Sequence, residues 1–221
     1  MRRRASHIFE KEKRGHYVEP MWCSRRLFEV ERFGEHVHDP ACGWGTILIE
    51  AAGAGYEVSG SDIIDRRRHK LGNNFFKRDF LTWHGSLRNK SVVCNPPFDH
   101  VQEFCEHSLD LGAQKVAMIC LVRRLNAAHW LQECPLRRIW LLTPRPSMPP
   151  GSWIAKGNKP GGGTQDFVWL VFERGYAGDA TIDWLHRDVY WAKEEESDGR
   201  PVRRRSEGTA RRGSEPVAEE A

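Results

Sequence analysis

Lys115-Val116-Ala117-Met118-Ile119-Cys120-Leu121-Val122 is a continuous apolar run, the pattern of a strand buried on both faces of a sheet. Shorter apolar or alternating stretches recur around it. Residues 37–39, 56–62, 74–80, 90–94, 138–142 and 166–172 each read as a strand bounded by turn residues, which with the long run makes seven. Helical spacing separates them. Residues 23–33 place Leu27, Phe28 and Val30 on one side, and residues 47–54 end at Gly55. Residues 63–71 follow, then a helix from Asp99 as cap to Gly112 with Phe104, Leu109 and Leu111 apolar. Residues 124–134 read as a short helix stopped by Pro135, and residues 181–192, with Trp184, Leu185, Tyr190 and Trp191, as a terminal helix. Strands alternating with helices predict an α/β domain on a mostly parallel sheet.

Periodicity fails in three places. Residues 1–15 are charged and patternless, a flexible basic arm in which Arg2, Arg3 and Arg4 could touch phosphates or simply be solvated. From Lys193 to the last residue, 221, the chain is charged and nearly free of large apolar side chains, so it is expected to be disordered. Arg203-Arg204-Arg205 stand there among Glu194-Glu195-Glu196 and Glu219-Glu220. Between these ends, residues 16–192 are expected to form one domain. Residues 143–165 break its pattern with five prolines before a glycine run, interleaved with Arg145, Trp153, Lys156 and Lys159. A loop of that length inside a compact domain is functional or disordered, and cations mixed with an aromatic suit phosphate contact and base stacking.

Composition narrows the setting. No apolar stretch approaches the roughly 20 residues of a membrane span, and the basic start leads into Glu10-Lys11-Glu12 and not into an apolar signal core, so a soluble cytoplasmic protein is expected. Six scattered cysteines without a C-x-x-C pair suit free thiols in a reducing compartment. His36-Val37-His38-Asp39 comes nearest to a metal-ligand cluster, but its alternation fits a strand, and no metal is expected. A formal charge of +4 permits a polyanionic partner without requiring one.

Two stretches carry chemistry. Asp39-Pro40-Ala41-Cys42-Gly43-Trp44-Gly45-Thr46 joins a strand to a helix through glycines, where backbone can approach a ligand and helix N–H groups are free. Asp62, about 20 residues further on, closes the next strand, where a carboxylate can bind ribose hydroxyls or cap the following helix. Asp79 can accept from an adenine amino group with Phe80 as wall, or serve as a turn aspartate. Cys94-Asn95-Pro96-Pro97-Phe98 follows a buried strand. The Asn95 amide oxygen and a neighbouring carbonyl can both accept from one NH2 group, two prolines remove competing donors, and Phe98 offers a ring face. A plain strand-to-turn connection with a proline stop would read the same way.

Taken together, D-P-A-C-G-W-G, the acids at Asp62 and Asp79, and N-P-P-F in this order resemble the class I S-adenosylmethionine-dependent methyltransferases, and within them the DNA amino-methyltransferases that modify adenine at N6. The resemblance covers roughly residues 16–174. It implies a doubly wound Rossmann-like sheet of seven strands, the last antiparallel, in a single domain with flexible ends. It implies S-adenosylmethionine as methyl donor, S-adenosylhomocysteine as product, and no metal. Asp39, Pro40, Ala41, Cys42, Gly43 and Gly45 would lie at the methionine end of the cofactor, Asp62 and Ile63 at the ribose, Asp79 and Phe80 at the adenine. Tyr17 and Pro20 look like a degraded N-terminal cofactor motif. Asn95, with the Pro96 carbonyl and Pro97, would hold the target amine, and Phe98 would stack on its ring. The partner implied is nucleic acid, DNA with a flipped adenine first, met by Arg145, Trp153, Lys156 and Lys159. Family members with defined recognition sites carry a sizeable target-recognition domain, for which this chain has no room, leaving residues 143–165 to read the target. RNA adenine and protein glutamine methylation use the same cleft, and a catalytically silent nucleic-acid-binding subunit is the reading from another class. The sequence is silent on oligomeric state and recognition site.

Overall fold

The pleat of the long apolar run sorts its side chains to two opposite cores. In β5 (Lys115–Leu121), Ala117, Ile119 and Leu121 face one core while Val116, Met118 and Cys120 face the other, all nearly or fully buried. That is the period of two expected of a strand covered on both sides. The structure, a computed structural model, describes residues 16–68 and 74–188. The basic arm, the charged tail, and the ends of the helices read at 63–71 and 181–192 therefore lie in whole or part outside the described residues.

Around β5 lie β1 (His36–Asp39), β2 (Glu57–Asp62), β3 (Phe75–Lys77), β4 (Lys90–Cys94), β6 (Leu136–Thr143), β7 (Phe167–Glu173) and β8 (Thr181–His186). They form one eight-stranded sheet in the order β3-β2-β1-β4-β5-β7-β6-β8. β1 to β5 run parallel, β7 runs antiparallel between β5 and β6, and β8 pairs parallel to β6. Helices α1 (Met21–Val30) and α2 (Thr46–Gly53) cover one face through Cys23, Leu27, Phe28, Ile47 and Ala51, and α3 (Val101–Asp110) covers the other through Val101, Phe104 and Cys105. This is the doubly wound α/β fold. After β1 the chain winds outward to β2 and β3, then returns to β4 on the other side of β1. The carboxyl ends of β1 and β4 thus flank a crevice, the place where open α/β sheets hold ligands.

The sheet has eight strands where seven were expected, because residues 181–186 are a strand and not the start of a helix. Thr181, Ile182 and Trp184 favour extended backbone, and β6 offers a free edge that pairs from Arg138↔Thr181 to Thr143↔His186. Leu185 turns into the α1 core while Ile182 and Trp184 remain exposed. The described part of the expected helix after Asp62 is a series of bends. Asp62 Oδ1 accepts the Ile64 N–H (3.0 Å) and Asp65 Oδ1 that of Arg67 (3.2 Å), local bonds that compete with a helical ladder. Residues 122–127 and 129–132 are two 3-10 turns, held where Trp130 stacks on Phe172. Asp99 does not cap α3, whose N-cap is His100. It accepts from the Arg124 guanidinium instead.

Residues 143–165 are not wholly irregular. They hold a short helix, α4 (Gly151–Ala155), and are stitched to the beginning of the described chain. Val18 N–H donates to Pro149 O and Gly151 N–H to His16 O, both at 3.0 Å, around the bridge Tyr17↔Pro150.

Candidate functional site

Loop chemistry at the end of β1 builds the floor of the crevice. Gly43 and Gly45 take φ of +48° and +86°, a left-handed conformation in which a Cβ is strained. A Cβ on Gly43 would also meet His16 Nε2 at 3.0 Å. The turn is held open by Asp62 at the end of β2, whose Oδ2 accepts the Gly43 N–H (3.0 Å) and whose Oδ1 receives Arg66 Nη1 at 3.3 Å. Asp62 is therefore no helix cap. Its carboxylate ties the glycine turn to β2 while lining the cleft. The cleft together with its solvent-open mouth spans about 690 Å³.

The expected residues largely converge there. Tyr17, Asp39, Pro40, Ala41, Cys42, Gly43, Asp62, Ile63, Asp79, Phe80, Asn95 and Pro97 line one cleft, though they come from five separate stretches of chain. Gly45 sits just behind as the N-cap of α2, and Pro20 as the N-cap of α1. Ile63 is exposed to the cleft mouth, Phe80 is buried against Phe104 and His107, and Asp79 accepts the Leu81 N–H at 3.0 Å in a tight turn. Pro96 and Phe98 fall outside the lining. The Phe98 ring stacks on Tyr17 (5.6 Å, 24°) and tilts against Phe167 (5.5 Å), so Tyr17 occupies one of the faces that the sequence reading reserved for a base. None of Arg145, Trp153, Lys156 and Lys159 lines the cleft. Arg145 is engaged in a two-pronged ion pair with Asp166 (2.6 and 3.0 Å), Trp153 lies in α4, and Lys156 and Lys159 are exposed.

Asn95 is held in a defined orientation. Its Nδ2 donates to Tyr17 O at 3.0 Å and to Glu19 Oε2 at 2.8 Å. A carbonyl can only accept, so the amide nitrogen must face Tyr17 and the amide oxygen must point the other way. Asn95 Oδ1 is enclosed and has no hydrogen-bond partner. A buried acceptor left unmatched costs about 1–3 kcal/mol, which an incoming donor would recover.

Sequence reasoning passed over Glu19. It is 8% exposed, lines the cleft and is pushed up to about 7 by burial, against the lowering effect of its bonds from Asn95 and its own backbone N–H. Asp39, 1% exposed, is raised well above the usual carboxylate range by burial and then by the charge of Glu19. The signal was an acid directly before the proline that opens α1, in a stretch otherwise read only for Tyr17 and Pro20. His38, on the next strand position, is held down to about 3 by burial and shares the Ser59 hydroxyl with His36 (2.8 and 2.6 Å). Both imidazoles thus serve the β1–β2 ladder. Among the described residues no group of three or more His, Cys, Asp or Glu is placed to hold a metal ion, and no helix is long and apolar enough to cross a membrane.

No protein-family model and no curated protein matches the sequence. Solved structures match the fold. The methyltransferase subunit of a type I restriction-modification system from Streptococcus thermophilus is 13% identical at a TM-score of 0.57, over 86% of this chain and 50% of its own. The M protein of the type I restriction enzyme EcoKI is 16% identical at 0.52, over 77% of this chain and 48% of its own. A predicted O-methyltransferase from Agrobacterium tumefaciens is 13% identical at 0.52, over 75% and 85%. The chain thus spans about half the length of the two restriction-modification subunits. At these identities the likeness establishes a Rossmann-like fold shared with these three proteins.

Proposed function

We propose that this chain is an S-adenosylmethionine-dependent N-methyltransferase acting on the exocyclic amine of adenine in nucleic acid, with DNA as the first substrate. The observation that carries the reading is the enclosed, unmatched Oδ1 of Asn95, oriented by bonds from its own nitrogen to Tyr17 and Glu19. An NH2 group is the ligand that such an acceptor fits. The cleft also fits the cofactor. Its glycine turn holds Gly43 at a φ of +48° with a Cβ position only 3.0 Å from His16 Nε2, and Asp39, Asp62 and Asp79 supply the lining with carboxylates suited to a cationic amino acid, ribose hydroxyls and an adenine amine.

When bound, S-adenosylmethionine supplies a methyl group activated by its sulfonium. The chain's own residues do the rest. Asn95 Oδ1 accepts a hydrogen bond from the target amine, which draws the nitrogen lone pair toward one direction and fixes its approach. Pro96 and Pro97 keep the strand end from closing into a helix, so no backbone N–H competes for that oxygen. Asp62 holds the glycine turn and offers its carboxylate to hydroxyl groups. A base in a duplex must be flipped out to reach the cleft. Two fold neighbours being methyltransferase subunits of restriction-modification systems supports DNA as substrate, as do the exposed Lys156 and Lys159.

The test is tritiated methyl transfer from S-adenosylmethionine to duplex DNA, single-stranded DNA, total RNA and a protein extract, followed by nucleoside analysis. N6-methyladenine in DNA is expected. Label in RNA or protein would keep the chemistry and replace the substrate. Cofactor binding without label in any polymer would leave the silent binding subunit as the better reading.

A further inference from the structure

Glu19 is an acid in a place that invites a charge. Its side chain and that of Asp39 are both buried in the cleft wall, and the charge of Glu19 disfavours ionisation of Asp39. Neither has a cation beside it among the described residues. Glu19 is acted on by burial, by Asn95 and by its own backbone N–H, and Asp39 by burial, Glu19, the Ala41 N–H, the Cys94 thiol and Asp62. Arg66, the one Lys or Arg among the described residues lining the cleft, pairs with Asp62. Buried carboxylates without a counter-charge persist at a cost, and a ligand that brings positive charge removes it. The methyl donor and its product differ in one respect that such a wall can read: the donor carries a sulfonium cation, the product a neutral thioether.

We propose that Glu19 is a cofactor-binding residue that discriminates the charged methyl donor from its spent product, while its bond to Asn95 aligns the amide for the target. This rests on the cofactor reading above and adds to it a residue outside the motifs that suggested it. One side chain then couples the two halves of the site. Its Oε2 receives Asn95 Nδ2 at 2.8 Å, and its negative charge favours the cation-bearing ligand. Binding the donor drives Glu19 to its ionised form, the form that accepts more strongly from Asn95. Loss of the sulfonium charge after transfer removes that drive and loosens the product.

The experiment is equilibrium binding by titration calorimetry of S-adenosylmethionine and S-adenosylhomocysteine to the full chain, for wild type, Glu19→Gln and Glu19→Asp. Gln keeps an acceptor for Asn95 and deletes the charge, whereas Asp keeps the charge. The expected result is a wild-type preference for the donor that shrinks by about tenfold or more in Glu19→Gln, the size of one charge contrast in a partly buried site, with product affinity nearly unchanged. Glu19→Asp should retain most of the preference. In wild type the preference should also fall as pH drops through about 7, with proton release on donor binding at pH 6. The other ionisable groups facing Glu19 are Asp39 on β1, Cys94 on β4 and Cys23 on α1, with His16, Tyr17, Cys42, Asp62, Arg66 and Asp79 in the same cleft; burial keeps the Cys23, Cys42 and Cys94 thiols from ionising there. Equal loss of donor and product in Glu19→Gln would overturn the proposal and assign Glu19 a structural role. A wild-type pH profile that is flat would overturn it without any variant. Absence of both ligands from wild type would instead overturn the cofactor reading, and this proposal with it.

Discussion

Replacing Glu19 by Gln should make the ligand-free protein more stable, and the gain should depend on pH in a calculable way. Glu19 rises from an ordinary 4.5 to about 7, chiefly because burial disfavours its ionised form. The folded state therefore binds its proton more tightly than the unfolded chain does. That contribution to stability is fully present below pH 4.5 and is lost as pH rises through about 7. At about 1.4 kcal/mol for each tenfold in the ionisation constant, the loss comes to about 3 kcal/mol by pH 8. Gln carries no such loss. Asp39 adds to the effect in the same sense, since its own rise comes partly from the charge of Glu19. Urea unfolding followed by far-ultraviolet circular dichroism at pH 4.5 and pH 8, on both proteins, reads Glu19 together with its coupling to Asp39, because titrating groups remote from Glu19 are common to the pair. The variant should overtake wild type by about 3 kcal/mol between the two pH values. A difference that stays constant within about 0.5 kcal/mol would refute the reasoning, because Glu19 would then not change protonation on folding in that window.

Asn95→Ala should abolish methyl transfer while leaving donor affinity within about threefold, read by calorimetry beside the tritium assay, because the amide oxygen serves the target. Asp62→Ala should act in reverse, weakening donor binding about tenfold or more, since the side chain accepts the Gly43 N–H that shapes the turn and is the acid expected at the ribose. Gly43→Ala should weaken donor binding and lower stability by about 1–3 kcal/mol, because a left-handed φ of +48° and a Cβ 3.0 Å from His16 Nε2 both oppose it. Its measures are the calorimetric affinity and the urea midpoint.

What could be seen in the sequence was what depends on neighbours along the chain. The two-faced run at 115–121 announced a central strand because its own pleat alternates between cores. The glycine turn after β1 and the proline pair after β4 pointed to a crevice because each interrupts backbone pairing at the carboxyl end of a strand, although the proline pair alone would also suit a plain turn. What could not be seen depends on partners far away. Residues 181–186 become strand because β6 has an open edge, not because of their own spacing, which serves a helix about as well. Glu19 reads as an ordinary surface acid until Asn95, 76 positions on, is folded against it. Phe98 reads as an open ring until Tyr17 is stacked on it. Arg145 reads as a free cation until Asp166 takes both of its prongs.

The short ladder between residues 16–18 and 149–151 bears on how the protein is made. Synthesis delivers the Tyr17 and Glu19 segment early, but the backbone that pins it arrives about 130 residues later. Closing so long a loop carries an entropic cost that the intervening sheet must first overcome, so this contact is expected among the late events of folding. Until then Asn95 has been translated and sits at the end of a formed strand, yet nothing holds its amide the right way round. A ribosome-bound chain halted short of residue 149 would thus carry both sequence motifs and no working cleft. If the chain takes the methyl donor as proposed, its capture would accordingly mark the moment when residues 16–18 and 149–151 have met.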